Sequence, residues 1–223
     1  MNSSRLYLPY LDEWDAQSAR RCFDKGDGEG FGCCGYSKGI MLDMVLWNQA
    51  QLIGRGIYEA ALLSAFTGCK HNNRHLNPDT IEAMFRRADR AKLVTAGDPL
   101  PGPGPFTIYR GVSGRTTARR VRGLSWTDDL DRACWFAMRY PGHDPAVYTA
   151  TVTADEVFSF ENDRNEREFI VRPAKCKRMP LTLNELQAAE DRVVKAQHER
   201  DKKWLAEVQA KHAKQGIVEG EAA

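Results

Sequence analysis

Apolar residues recur with one period in the first part of the chain and with another in the second. From Gly39 to Phe66 the positions Met41, Met44, Val45, Trp47, Ile57, Ala61, Leu62 and Ala65 follow three- and four-residue steps, which predicts amphipathic helix. Gly54 and Gly56 are expected to divide it into two helices. Asn77-Pro78 opens a further helix, with asparagine as N-cap and proline in the first turn, running to Leu93. Residues 1–23 hold one short helix. The glycine-dense run DKGDGEGFGCCGYSKG (24–39) reads as loop, and DPLPGPGP (98–105) reads as a linker, because neither helix nor strand propagates through it.

Beyond the linker the period shortens to two. FTIYRGV (106–112), LSWT (124–127), AVYTATVT, VFSFEN and REFIVRP read as strands rich in β-branched and aromatic residues. DDLDRACWFAMRY reads as a helix: acids fill its first turn, Leu130, Ala133, Cys134 and Ala137 share one face, and Pro141 follows its end. Thr127 or Asp128 would cap it. Thr182-Leu183-Asn184-Glu185 fits a capping box that opens a long helix to Lys214. The stripe Leu186, Ala189, Val193, Trp204 and Val208 on that helix is broken by HERDKK, and its heptad fails at Arg200 and Lys203, so no coiled coil is expected. The expected organisation is α+β: a helical region 1–97, the linker 98–105, a strand-rich core 106–180, a C-terminal helix 181–214 and a disordered tail 215–223.

Composition narrows the function class only slightly. The formal net charge is +2, which forces no nucleic-acid or membrane partner. The six cysteines include no C-x-x-C pair. With an acidic N-terminal segment and no signal-peptide pattern, this points to reduced thiols and a cytoplasmic protein. Asp43 and Glu59 interrupt apolar runs already too short to span a bilayer, so no membrane association is expected.

The chemistry lies on the strand-rich segment. Three pieces follow in order: Tyr109-Arg110-Gly111, Ser125-Trp126-Thr127 and Glu166-Arg167-Glu168. Alternation puts Ser125 and Thr127 on one face of a strand and Trp126 on the other. In the third piece, an extended chain would put Glu166 and Glu168 on one side and Arg167 with Phe169 and Val171 on the opposite side. That conflicts with a dry core, unless the strand begins nearer Glu168. Arginine suits bidentate phosphate recognition. Hydroxyls orient a carboxylate or a ribose. A carboxylate beside a sugar C1′ stabilises an oxocarbenium-like transition state. Together they match the cleavage of the nicotinamide–ribose bond of NAD.

The order Y-R-G, S-W-T, E-x-E resembles the Arg-Ser-Glu clade of ADP-ribosyltransferases, which includes bacterial toxins, vertebrate arginine-modifying enzymes and phage-encoded effectors. The run GLSWTDDLDRACWFA is especially similar to the phage and bacterial members. The resemblance covers roughly a third of the chain and implies a split β-sandwich transferase core using NAD as co-substrate without a metal. It implies Arg110, beside Tyr109, on the NAD phosphate or ribose, and Gly111 holding the nicotinamide amide through its backbone. Ser125 would position Glu168, supported by Thr127. Glu168 would be the catalytic carboxylate, and Glu166 would orient an incoming arginine. The loop Glu161 to Asn165 would recognise the target, and Trp135, Phe136 and Tyr148 are the candidate nicotinamide clamps. A tryptophan in the middle of the hydroxyl motif departs from the family pattern at an inward-facing position. The implied partner is a macromolecule, foremost a host protein, in the host cytoplasm if the protein is phage-encoded. The alternatives are a non-catalytic protein that blocks a partner with a degenerate transferase core, and an NAD glycohydrolase.

Other features are weaker. Gly30, Gly32 and Gly35 spell G-x-G-x-x-G, but no apolar strand precedes them, and Asp24, Asp27 and Glu29 would repel a pyrophosphate. Cys69, His71 and His75, with Cys33 or Cys34, fit no usual zinc spacing. Arg115, Arg119, Arg120 and Arg122 are either a solvated loop or, with Arg86, Arg87 and Arg90, a basic face for an acidic protein or a nucleic acid.

Overall fold

A computed structural model describes residues 6–68, 76–114, 121–139, 144–162 and 165–220. The chain is α+β, with helices and antiparallel strands, and forms two compact units, each discontinuous in sequence. The first comprises residues 1–107, 122–128 and 151–175; the second comprises 108–121, 129–150 and 176–223. The linker 98–105 is irregular but does not separate them: the strands bearing Ser125 and Glu168 belong with the N-terminal helices.

In the first unit, α1 (Glu13–Lys25) starts at Asp12, whose carboxylate accepts from Asp15 N at 2.9 Å, and ends at Gly26 with φ 76°. The glycine run then departs from the expected loop. Gly28–Cys33 is helical (α2), capped by Asp27, and a 3-10 turn follows at Tyr36–Lys38. The glycines are there for packing. A Cβ on Gly28 would sit 2.8 Å from the Ala60 Cβ, and one on Gly32 would sit 2.5 Å from the Ala61 carbonyl. Four residues apart, the two glycines share one helix face. That face lies on α5 (Tyr58–Gly68).

Before α5 come α3 (Met41–Trp47) and α4 (Gln49–Arg55), so 39–66 holds three helices rather than two. Gly56, at φ 79°, makes the expected division; the further break is at Asn48, and Gly54 stays inside α4. The buried Asn48 amide donates to Tyr7 O and Met44 O, both at 2.8 Å, and its carbonyl oxygen accepts from Tyr7 N at 2.7 Å. The helix opened by Asn77-Pro78 is also divided, into α6 (Pro78–Arg87) and α7 (Arg90–Ala96). Asp89 caps the second piece, and its own amide donates to the buried Glu59 carboxylate at 2.9 Å. Phe31, Leu42, Met44, Leu52, Tyr58, Leu62, Met84, Phe85 and Leu93 form the core, joined by Leu124 and Ile170 from the strand segments. Tyr58 donates to Met84 O at 3.0 Å, and burial pushes its phenol up to about 12.

Strands β2 (Ser125–Thr127), β4 (Ser159–Glu161) and β5 (Glu168–Ile170) belong to this unit, with β5 antiparallel to both of the others. Strands β1 (Phe106–Val112) and β3 (Ala146–Val152) run from one unit's residues into the other's. In the second unit β1, β3 and β6 (Lys177–Arg178) lie in that order. Its helices are α8 (Leu130–Met138) and α9 (Leu183–Gly220). Asp129, rather than Thr127 or Asp128, caps α8 by accepting from Arg132 N at 3.1 Å. The Thr182–Glu185 capping box is present, but α9 continues past the expected end at Lys214. One internal glycine, Gly216, costs only about 1 kcal/mol in a helix. Ala133, Cys134, Ala137, Val147, Leu186 and Ala189 form the small core of this unit.

Among the described residues, Cys22, Cys33, Cys34, Cys134 and Cys176 are free thiols. Burial pushes the Cys34 thiol up to about 12 and that of Cys134 to about 11. No described helix is long and apolar enough to cross a membrane.

Candidate functional site

Strand β5 organises the site in the first unit. On one side its register with β2 pairs Ser125 with Ile170, Trp126 with Phe169 and Thr127 with Glu168. On the other side β4 pairs Ser159 with Ile170, Phe160 with Phe169 and Glu161 with Glu168. Residues directly opposite one another across antiparallel strands share a face. Trp126, Phe169 and Phe160 therefore make an apolar row, with Phe160 and Phe169 edge to face at 4.8 Å and Phe106 at 5.1 Å from Phe169. The opposite face carries a polar row, Thr127–Glu168–Glu161, and one step further along Ser125 and Ser159 flank Ile170. The expected alternation of Ser125 and Thr127 against an inward Trp126 holds. The indole is 3 % exposed and donates to Gly123 O at 3.0 Å.

Glu168 is the first residue of β5 and is 4 % exposed, as is Thr127. The extended reading of Glu166-Arg167-Glu168 does not hold. Arg167 has φ 48° and Asn165 φ 53°, so the chain turns before the strand and Glu166 has no period-2 relation to Glu168. This removes the conflict of an arginine sharing a face with Phe169. The Arg167 guanidinium instead makes a two-pronged pair with Asp128, both contacts at 2.5 Å. The same turn is closed by Asn162, whose side-chain oxygen accepts from Arg167 N at 3.3 Å and whose carbonyl accepts from Asn165 N at 2.8 Å. The Thr127 hydroxyl donates to Glu166 O at 2.9 Å, tying the E-x-E turn to β2. Left-handed non-glycine residues cost on the order of 1 kcal/mol or more each and persist where their surroundings fix them. Here a bidentate ion pair and three hydrogen bonds do so.

Two features of this neighbourhood were not visible in the sequence. Glu161, expected as the start of a recognition loop, ends β4 as the register partner of Glu168. Gly97, which ends α7, lies against β4. A Cβ there would fall 2.2 Å from Ser159 Oγ and 2.9 Å from Glu161 Oε1. Asp98 is thereby held at the strand end, where its amide donates to Phe160 O at 2.8 Å and its carboxylate accepts from Asn162 N at 2.7 Å. Asp98, Pro99, Phe160 and Asn162 line a shallow, open depression there. The only sequence sign of Asp98 was an acid directly after a helix-ending glycine, a common arrangement.

Arg110, Gly111, Tyr109 and Phe136 belong to the second unit. Arg110 is half-buried on β1. Gly111 has a packing role there, since a Cβ would fall 1.8 Å from Ala133 O on α8. Tyr109 packs against the small core beside Leu130 and Met138. Among the candidate clamps, Phe136 meets Trp135 edge to face at 4.9 Å, while Trp135 has the guanidiniums of Arg132 and Arg139 within 5.6 Å and 5.5 Å of its ring centre. Tyr148 pairs with Arg178 across β3 and β6. Arg115, Arg119 and Arg120 lie outside the described residues, as do Cys69, His71 and His75. Arg122 is exposed. Of the other basic residues, Arg86 is paired with Glu82 and Arg90 donates to Ala154 O.

Comparison of the chain with protein-family models, with curated proteins and with solved structures returns no match.

Proposed function

We propose that the protein is an NAD-dependent mono-ADP-ribosyltransferase on a split β-sandwich core, acting on a macromolecular acceptor, foremost an arginine side chain of a host protein, as a phage or bacterial effector. One observation carries the reading: the hydroxyl strand β2 is hydrogen-bonded to β5 in the register that sets Thr127 directly opposite the buried Glu168, with Ser125 on the same face. A buried carboxylate with one hydroxyl residue directly opposite and another on the same face suits a ribose, which offers hydroxyl donors and develops positive charge at C1′ when its base departs. In this reading the C1′–N bond to nicotinamide breaks and nicotinamide leaves with the electron pair. Glu168 stabilises the resulting cation, and an acceptor nitrogen attacks C1′ and loses its proton. Ser125 positions Glu168; the family resemblance alone assigns Arg110, Tyr109, Gly111 and Phe136, all of the second unit, to the NAD. Glu166, its carbonyl held by Thr127, orients the acceptor.

The test is nicotinamide release from NAD. Glu168→Gln is expected to slow it by roughly 10²-fold or more, the scale of losing a transition-state electrostatic contact, with the melting temperature retained. Equal release by wild type and variant overturns the assignment. Glu166→Ala is expected to lower transfer to arginine more than hydrolysis of NAD; equal loss of both would remove it from the acceptor role.

A further inference from the structure

We infer that Asp128 is a positioning residue of this site: through its ion pair with Arg167 it fixes the turn that carries Glu166, and so sets how ADP-ribose divides between an acceptor and water. The inference rests on the reading of Glu168 as the carboxylate that cleaves NAD and of Glu166 as the residue that orients the acceptor.

Register comes first. Strands β2 and β5 pair Ser125 with Ile170, Trp126 with Phe169 and Thr127 with Glu168, so the next rung would pair Asp128 with Arg167. Side chains make that rung instead of backbone. Arg167 has left the extended region, with φ 48°, and its guanidinium donates to the Asp128 carboxylate through Nε and Nη2. One residue earlier, Glu166 O accepts from the Thr127 hydroxyl at 2.9 Å. Thr127 and Asp128 thus hold both residues that precede Glu168. Asp129 alone caps α8, which leaves the Asp128 carboxylate for Arg167.

A near balance of opposing effects makes the pair decisive. A left-handed arginine is disfavoured to about the extent that a partly exposed ion pair favours it. The side chains are 18 % exposed for Asp128 and 41 % for Arg167. Asn162 also closes the turn, but its tie to Arg167 N is long, at 3.3 Å. Without the carboxylate the extended conformation competes, and strand alternation would then carry Glu166 round to a different direction. Glu168 keeps its place, because β5 pairs with β2 on one side and with β4 on the other. The ion pair therefore acts on Glu166 and spares Glu168.

Asp128→Asn keeps the shape of the side chain and removes its charge. The melting temperature is expected to change little, since a partly exposed pair contributes little to folding. With NAD as donor, transfer to agmatine, a small guanidino acceptor, is measured beside nicotinamide release without acceptor. Transfer is expected to fall about tenfold, the scale of a misplaced positioning group, with release within about twofold of wild type. Asp128→Glu is expected to recover part of the transfer. Asp128→Asn combined with Glu166→Ala is expected to be no worse than Glu166→Ala alone, because both act at one place. Unchanged transfer, equal loss of transfer and release, or additive losses in the double variant each overturn the inference. Amide chemical shifts of the free protein give an independent reading: Asp128→Asn is expected to move those of Glu166 and Arg167 and to leave those of Phe169 and Ile170 in place. No movement at Glu166 overturns the inference as well. Failure of the underlying reading looks different, since wild type itself then releases no nicotinamide, and the positioning role falls with it.

Discussion

In the first unit, Phe31, Tyr58, Phe85 and Phe169 are all fully buried, backed by Met41, Leu42, Met44, Leu52 and Leu62. In the second, the buried cluster is Ala133, Cys134, Ala137, Val147, Leu186 and Ala189. Each unit also has a place where a glycine lets two elements approach closely: Gly28 and Gly32 of α2 on α5, and Gly111 of β1 on α8. The surroundings of these contacts differ. Around α2, large side chains from several helices bury much apolar surface, and a local misfit is shared among many neighbours. Around Gly111 the nearest atoms are the backbone of Ala133 and Ala137, so that contact rests on backbone-to-backbone proximity, beside the buried side chains of Ile108, Val112, Val147 and Leu186. The first unit is held by volume and the second by fit. The unit that carries Glu168 buries more large side chains, while the one that carries Arg110 buries mostly small and β-branched ones.

The strongest way to break this contrast is Gly111→Ala. The added methyl would lie 1.8 Å from Ala133 O and 2.7 Å from Ala137 N, both backbone atoms that cannot move aside without shifting α8. A loss of about 3 kcal/mol, the upper part of the overpacking range, is expected. At roughly 2–4 °C per kcal/mol for a chain of this size, that is a fall of about 6–12 °C in Tm by calorimetry. A fall under 2 °C would show that α8 yields easily and that the second unit is not governed by fit.

Gly32→Ala is the matched change in the first unit. Its methyl would lie 2.5 Å from Ala61 O and 2.7 Å from the Ser64 Cβ, again an overlap, but a shallower one in a core with more neighbours to share it. About 1–2 kcal/mol is expected, less than for Gly111→Ala in the same calorimetric series. A Gly32→Ala loss equal to or above that of Gly111→Ala reverses the comparison.

The same glycines show what the sequence could convey. Where a local rule had a local cause, the elements were legible: Asn77 and Thr182 cap the helices they were expected to open, Gly56 divides the helical run, and β1, β2, β3, β4 and β5 fall within the apolar runs. Asp27, Gly28 and Gly32 were not legible as a helix, because composition there signals a loop and the reason for glycine is α5, some thirty residues on. The breaks at Asn48 and before Asp89 follow from tertiary partners, Tyr7 and Glu59 respectively. The candidate site divides in the same way. The alternation of Ser125, Trp126 and Thr127 and the start of a strand at Glu168 are properties of short segments and were readable. The left-handed turn at Arg167 was not, since arginine carries no preference for it; Asp128 and Asn162 impose it. Glu161 and Asp98 join the picture only through strand register and the approach of α7.

The smallest expected effect is electrostatic and tests whether polar ties supplement fit in the second unit. Arg192 of α9 reaches Asp131 of α8 with two hydrogen bonds of 2.7 and 2.6 Å. That contact holds the Asp131 carboxyl below its ordinary value of 3.8, chiefly through the hydrogen bonds from Arg192 and against a smaller opposing effect of burial. A carboxyl depressed in the folded state contributes stability at pH values above its unfolded pKa and loses that contribution as the pH falls through the folded one. The pair is largely solvated, with side-chain exposures of 60 % for Arg192 and 36 % for Asp131, so screening keeps the effect small. Denaturant unfolding followed from pH 6 down to about 3 should show wild type and Asp131→Asn separated by a constant, small margin at the upper end and converging below about pH 4, with the margin reduced by added salt. Curves that stay parallel into acid would mean that the α8–α9 contact rests on Ala133, Ala137, Leu186 and Ala189 alone.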